Sequence, residues 1–332
     1  MMKMTLSELA KITATVYRKA NYPEEQIPII VDVLSYALYR GNMQSLLQII
    51  TGLPDYQALA PTKNVKNTHL SCLIDGNNHI GLWVMYQSMQ KVMKKAKKHG
   101  FCIVGSFNSA PPGTAALGYY VKKLAEQGLI AFAFSGSSKK VAPFGGYQAL
   151  FGSNPIAVGL PCNEMPIIID MATSIMPVFK VLEAHLQHQS LPEGVAFDNK
   201  GQNTLDPNAI LIEGGALTTF CPGAKGYSLS LLVEALTGPL VGAAFANLGD
   251  TQHNWGNLIY AFDPELLIGL NAFMDEMAKL RLAIKESNCL PEVKEIFLPG
   301  EIAELKAAHT LQQGWIEIED DLFSYLKSSG IN

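Results

Sequence analysis

What most constrains the fold is the order of its segments. Helical spacing gathers at the two ends of the 332-residue chain, while its middle breaks into short apolar pieces separated by turn residues. A doubly wound sheet needs strands and helices in regular alternation, and no such rhythm runs through the chain. No G-x-G-x-x-G follows the first strand-like stretch, so a Rossmann dinucleotide site has no support. The pattern predicts an α+β protein with a mixed or antiparallel sheet.

At the start, Thr5 followed three residues later by Glu8 has capping-box form, and two helices should follow, broken at Tyr22-Pro23. A loop is expected from Thr51 to Lys66. "THLSCLIDGNNHIGLWVMYQSMQKVMKKAKKHG" predicts a strand, an Asp-Gly-Asn turn and a long helix ending at Gly100. "FCIVGSFN" and "LIAFAFSGSS" read as buried strands on either side of a loop and a helix over 118–127. "YSLSLLVEALTGPLVGAA" is helical, "NLIYAFDPELL" a strand, and "EIFLPGE" a strand between two terminal helices. The expected organisation is an N-terminal helical part, 1–75, packed with the C-terminal helices of 265–332, around a central cofactor-binding region, 76–264.

The net charge of −4 and the lack of a long basic block exclude nucleic acid as a main partner. No apolar run approaches the ~20 residues that span a bilayer, so no membrane partner is expected. Five cysteines without C-x-x-C spacing and a charged N-terminus predict a cytoplasmic protein. His185 and His188 form the one close histidine pair, at i,i+3 spacing, but no carboxylate triad lies nearby, and no metal site is expected.

Three stretches carry chemistry. "PIIIDMATS" ends an apolar run on Asp170, followed by the hydroxyls of Thr173 and Ser174, a grouping that suits hydrogen bonds to a sugar or phosphate or, equally, a helix cap. "FCPGAKGYSLSLL" places Lys225 at a helix start, where a cation gains nothing from the dipole unless an anion joins it. "EIFLPGE" delivers Gly300 and Glu301 at a turn. One cation, helix-end amides and two carboxylates can hold a nucleotide without a Rossmann loop.

With those residues assembled, the chain resembles the malate/L-lactate dehydrogenase family, which is unrelated to the Rossmann-type lactate dehydrogenases and includes ureidoglycolate dehydrogenase and Δ1-piperideine-2-carboxylate reductase. The resemblance runs from about Leu6 to Ile316 through "FGSNPIAVGLP", "IIIDMATS", "LPEGVAFDNKGQNTLDP", "EGGALTTFCPGAKGYSLSLLVEALTG" and "FLPGE". It implies an NAD- or NADP-dependent oxidoreductase acting on a small molecule, with an unusual cofactor-binding fold built on a mostly antiparallel mixed sheet, and a homodimer. The family's cofactor positions carry over onto Ser137, Asn154, Ile168, Ile169, Asp170, Met171, Ala172, Thr173, Ser174, Lys225, Gly226, Gly300 and Glu301.

The departures are as informative. Where the resemblance implies a catalytic imidazole and a substrate-gripping arginine, this chain reads "RGNMQSLLQII", with Gln44 and Ser45 in the first places and Ile49 near the arginine. Where it implies a second imidazole, "NSAPPG" supplies Ala110, Pro111, Pro112 and Gly113. A placed acid or base contributes roughly 10²- to 10⁴-fold in rate. Its loss harms oxidation of a 2-hydroxy acid more than reduction of an imine, which can arrive already protonated. The expectation is a reductase with an altered active site acting on a cyclic imine or a ketone, with Ser45, Gln44, Ser109 and Tyr119 as substitute polar groups. The alternatives are an inactive homologue that binds nucleotide or a partner protein, and an ordinary 2-hydroxy-acid dehydrogenase in which His185, His188 or His253 takes the vacant role.

Overall fold

A computed structural model of the chain describes residues 2–44, 46, 53–58, 60–220, 223–250, 254–319, 323 and 326. In chain order its first half forms β1 (Met2–Thr5), α1 (Leu6–Lys19), α2 (Ile27–Tyr39), β2 (Lys63–Asn67), β3 (Ser71–Asp75), α3 (Gly81–His99), β4 (Phe101–Ser109), α4 (Gly118–Ala125), β5 (Ile130–Ser135), β6 (Ile156–Leu160) and β7 (Ile167–Met171). The second half forms α5 (Val178–Leu186), β8 (Ala196–Phe197), α6 (Pro207–Leu211), β9 (Ala216–Leu217), α7 (Ala224–Thr237), β10 (Trp255–Phe262), α8 (Leu270–Lys285), α9 (Glu301–Gln313) and β11 (Trp315–Ile318).

Among the described residues, seven strands make the main sheet in the order β2-β3-β4-β10-β5-β6-β7. Only β3 and β4 run parallel there, and α3 is the crossover between them; every other neighbour is antiparallel. The fold is therefore the mixed, mostly antiparallel α+β arrangement expected, not a doubly wound one. β10 shows the period-2 logic: Ile259 and Ala261 face one core with α3 and α4, while Leu258 and Tyr260 face another beside Val233 of α7. On α3, Leu82, Met85, Met89, Val92 and Ala96 make the buried stripe, and Gly100 closes the helix at φ 82°. Close packing of α4 on β6 requires Gly159, where a Cβ would lie 2.4 Å from the Val121 carbonyl oxygen.

Thr5 and Glu8 form the expected capping box, with Glu8 N–H donating to Thr5 Oγ1 at 3.2 Å and Thr5 N–H donating to Glu8 Oε2 at 3.1 Å. Segments far apart in the chain meet where β1 pairs antiparallel with β11. The boundary expected at residue 75 falls inside the main sheet, since β2 and β3 are two of its strands.

Two local expectations fail. The loop expected up to Lys66 ends earlier, because 63–67 forms the edge strand β2; all five of its residues are exposed, so it carries no apolar alternation to reveal it. "EIFLPGE" is not a strand, since no neighbouring chain pairs with it. Leu298 instead sinks among Cys162, Ile167 and Met277, and its N–H donates to Glu301 Oε2 at 2.8 Å.

Candidate active site

β7 ends at the edge of the sheet, and the loops around its end enclose a cleft of about 400 Å³. Asp170, Met171 and Ala172 form one wall, Ser137 and Ser138 another, and Gln44 borders the mouth; Thr114, Phe179 and Trp255 complete it. Among the described residues lining this cleft, Asp170 is the one ionisable group; there is no His, Lys or Arg.

Asp170 owes its position to α4. No side chain caps that helix from its own N-cap residue, Leu117. The carboxylate arrives instead from β7, and Oδ2 accepts from Gly118 N–H at 2.7 Å. Gly118 permits this approach, since a Cβ there would lie 3.1 Å from Oδ2 and 2.9 Å from Tyr36 Oη. Burial pushes the Asp170 carboxyl up to about 6, and the Gly118 hydrogen bond opposes part of that rise. The residue also opens onto the cleft, so solvent moderates the push. Its direction follows from the carboxyl's place against α4 with no ion pair among the described residues.

The other expected cofactor positions scatter around this wall. Ser137 Oγ accepts from Ser153 N–H at 3.0 Å at the end of β5. Asn154 is buried, its Nδ2 donating to the Ser230 carbonyl and to Glu234 Oε2, while its Oδ1 finds no partner among the described residues. Thr173 and Ser174 turn inward: Thr173 Oγ1 donates to the Asn154 carbonyl at 3.0 Å, and Ser174 Oγ to the Met176 carbonyl at 2.7 Å. Ile168 is buried and Ile169 half-buried in β7. Gly300, at φ 82°, lets α9 start against that strand, where a Cβ would meet the Ile168 carbonyl oxygen at 2.5 Å. Glu301 pairs with Lys285 at 2.8 Å.

Lys225 is exposed in the first turn of α7, as expected from sequence. Gly226, buried behind it, could not carry a Cβ, which would sit 1.9 Å from the Phe220 carbonyl oxygen. The α7 N-cap, Gly223, borders a second cavity of about 600 Å³ lined also by Phe144, Tyr147 and Thr219. A hollow of about 830 Å³ along α1 and α2 touches none of the candidate residues.

Of the four substitute catalytic groups, Gln44 reaches the cleft. Ser45 lies outside the described residues, as does His253. Ser109 is fully buried and its Oγ accepts from Asn257 Nδ2 at 3.3 Å, within a network that also holds Ser106 and Ser135. Tyr119 is buried between helices and its hydroxyl donates to Asp32 at 2.7 Å. Both are committed to the interior, so neither lines the cleft. His185 sits one turn beyond Leu182, a cleft residue on α5, and neither it nor His188 lines the cleft. No cluster of three or more metal-ligating side chains occurs among the described residues, and no helix among them is long and apolar enough to cross a membrane.

Sequence reasoning passed over Asn42, Thr114, Phe179 and Trp255, which line the same cleft. It also missed the buried Lys139–Glu234 pair at 2.6 Å, whose carboxylate orients Asn154 as well.

A sequence model of the family described as malate/L-lactate dehydrogenase matches residues 4–327. The chain belongs to the malate/L-lactate dehydrogenase family. L-sulfolactate dehydrogenase of Methanothermobacter thermautotrophicus is 31% identical over 97% of this chain and 94% of its own length. A Delta(1)-pyrroline-2-carboxylate/Delta(1)-piperideine-2-carboxylate reductase of Pseudomonas putida is 44% identical, over 47% of this chain and 45% of its own. The solved sulfolactate dehydrogenase of Methanocaldococcus jannaschii superposes with a TM-score of 0.82 at 31% identity, covering 99% of this chain and 96% of that one. Membership makes this chain an oxidoreductase, and its dehydrogenase relatives point to a nicotinamide cofactor. The donor set fits such a group: hydroxyls of Ser137 and Ser138 beside a strand-end carboxylate, and a helix N-terminus with an exposed lysine for an anion.

Proposed function

We propose that this chain is an NAD(P)H-dependent reductase whose cleft takes a cyclic imine or a ketone rather than a 2-hydroxy acid. The observation that supports this reading is the cleft lining, which among the described residues contains hydroxyls, amides and one carboxylate but no imidazole or guanidinium. A 2-hydroxy acid needs an acceptor for its hydroxyl proton and a grip on its carboxylate. A protonated imine needs only position and shielding.

Ser137, Asp170, Met171 and Ala172 would hold the nicotinamide end of the cofactor, with Ile168, Ile169 and Gly300 shaping the wall behind. Lys225, with the α7 amides around Gly226, would face its phosphates. Buried Asn154, Thr173 and Ser174 fix the loop after β7, and Glu301 anchors α9. When bound, the reduced nicotinamide supplies hydride. The chain itself orients the substrate through Gln44 and Ser45 and excludes water with Phe179 and Trp255. Exposed Leu231 and Leu232 on α7 support a homodimer, for which sedimentation should give twice the chain's 36.1 kDa mass.

Fluorescence or calorimetric titration should detect NADH or NADPH binding, followed by consumption of the reduced cofactor with a cyclic imine or ketone. Brisk turnover of malate or lactate would reject the proposed substrate class. Cofactor binding without turnover of any 2-oxo acid, imine or ketone would indicate a nucleotide-binding homologue without catalysis. Lys225→Ala should weaken cofactor binding by roughly 1 to 3 kcal/mol if its ammonium meets a phosphate, and unchanged affinity would remove it from the site.

A further inference from the structure

The cleft has a charge pattern that selects for more than the absence of histidine. Its one ionisable side chain among the described residues is negative. Asp170 spends Oδ2 on Gly118 N–H, while Oδ1 has no hydrogen-bond partner among the described residues and belongs to a residue that opens onto the cleft. Trp255, in the same lining, brings an aromatic ring that suits a cation, while Phe179 already has the Lys180 ammonium 5.5 Å from its ring centroid. A substrate carboxylate brought here would meet a like charge, with no counter-ion among the described lining residues to offset it.

We infer that Asp170 is the specificity-determining group of this cleft, and that its carboxylate receives a cationic substrate that lacks a carboxylate of its own: a protonated cyclic imine. This rests on the reductase reading above and narrows it to one charge class.

The surroundings of Asp170 leave that role open. From α4 it meets the Gly118 amide, and from α2 the phenol of Tyr36, which burial keeps neutral by raising its ionisation well above the usual tyrosine range. On β6 its register partner is Ala157. Arg40, stacked on the Tyr36 ring, and Lys122, one turn along α4, are both bound to Glu304, and Lys180, beside the Phe179 ring, is bound to Glu183. Across the cleft, Gln44, Thr114 and Ser137 are neutral. Nothing else among these groups changes charge between pH 5 and 8, so a cation's affinity should follow the Asp170 carboxyl.

The test uses the purified chain with its reduced cofactor bound, whose dihydronicotinamide ring is neutral, and two saturated probes, piperidinium and pipecolate. Both carry the ring ammonium, and pipecolate adds a carboxylate. By calorimetry, piperidinium should bind the wild-type complex roughly tenfold or more tightly than pipecolate, and its affinity should rise as pH increases through about 6. Asp170→Asn keeps an oxygen for Gly118 N–H but no charge. It should lose roughly tenfold in piperidinium affinity and show no such pH dependence. Should that variant fail to fold, the two probes and the pH profile on the wild type decide alone. Equal or tighter binding of pipecolate, a flat wild-type profile, or no binding of either probe overturns the inference. If cofactor binding and imine reduction persist under any of those results, only the charge class is wrong; if neither NADH nor NADPH binds, the reductase reading itself fails.

Discussion

Asp170 and Glu304 are both carboxyl groups bound to α4, Asp170 at its first residue and Glu304 through Lys122 one turn later, and their ionisation moves in opposite directions. Burial raises both. At Glu304 the hydrogen bonds from Lys122 at 2.6 Å and Arg40 at 2.7 Å outweigh that burial, and the carboxyl ends below its ordinary range. At Asp170 a single backbone N–H opposes burial and the carboxyl stays high. The difference lies in the supply of cations. A carboxylate that ties α2, α4 and α9 together has its charge matched on site, whereas the one at the cleft has been left for something else to match.

Removing the matched charge should have the largest effect. Arg40, Lys122 and Glu304 have side chains only 13%, 19% and 12% exposed, so Glu304→Ala leaves two cations facing each other with little water. A destabilisation of about 3–5 kcal/mol is expected in urea unfolding. A loss under about 1 kcal/mol would place the trio with ordinary surface pairs and break the contrast with Asp170.

Gly118→Ala probes the other end of the helix. Alanine ordinarily favours a helix by about 0.5–1 kcal/mol over glycine. Here its methyl would press on Tyr36 Oη, Asp170 Oδ2 and the Ile168 side chain, at 2.9, 3.1 and 3.3 Å. A net destabilisation of about 1–3 kcal/mol is expected, together with weaker cofactor binding as Asp170 is displaced. A variant more stable than wild type would show that the contact between α4 and β7 is loose.

How much of this was legible beforehand follows from sequence separation. The capping box of α1, the β3–α3–β4 unit and the delivery of Asp170 at a strand end rest on signals within a few residues, and all stand in the structure. What Asp170 touches was not legible, because Gly118 is 52 residues away and its role is a missing side chain. Glu304 meets Arg40 across 264 residues, and Lys139 meets Glu234 across 95, so neither pair leaves a local pattern. Tyr119 and Ser109 misled for the complementary reason: polar groups beside a functional loop can be spent inside, on Asp32 and Asn257. β2, exposed throughout, became a strand only by finding an edge to pair with.

The smallest expected effect tests the contrast most directly. Asp170 is raised from an unfolded value of 3.8 to about 6. Its contribution to stability is therefore fully present below about pH 3.8 and is lost as pH rises through about 6; ionised, it weighs against the fold. Asparagine at 170 never ionises and can still accept from Gly118. Asp170→Asn should therefore melt above wild type at pH 8 and converge with it toward pH 4. Because the residue opens to solvent, the gain should be small, on the order of 1–2 °C. Glu304→Gln should do the reverse: it melts below wild type at pH 8, and its deficit shrinks as pH falls below the ordinary 4.5 and on through the lowered range in which the folded carboxyl takes up its proton. If Asp170→Asn also melts lower at pH 8, the Asp170 carboxylate is stabilising in its ionised form. It then belongs with Glu304 as a structural charge, and the cleft holds no unmatched carboxylate for a substrate to meet.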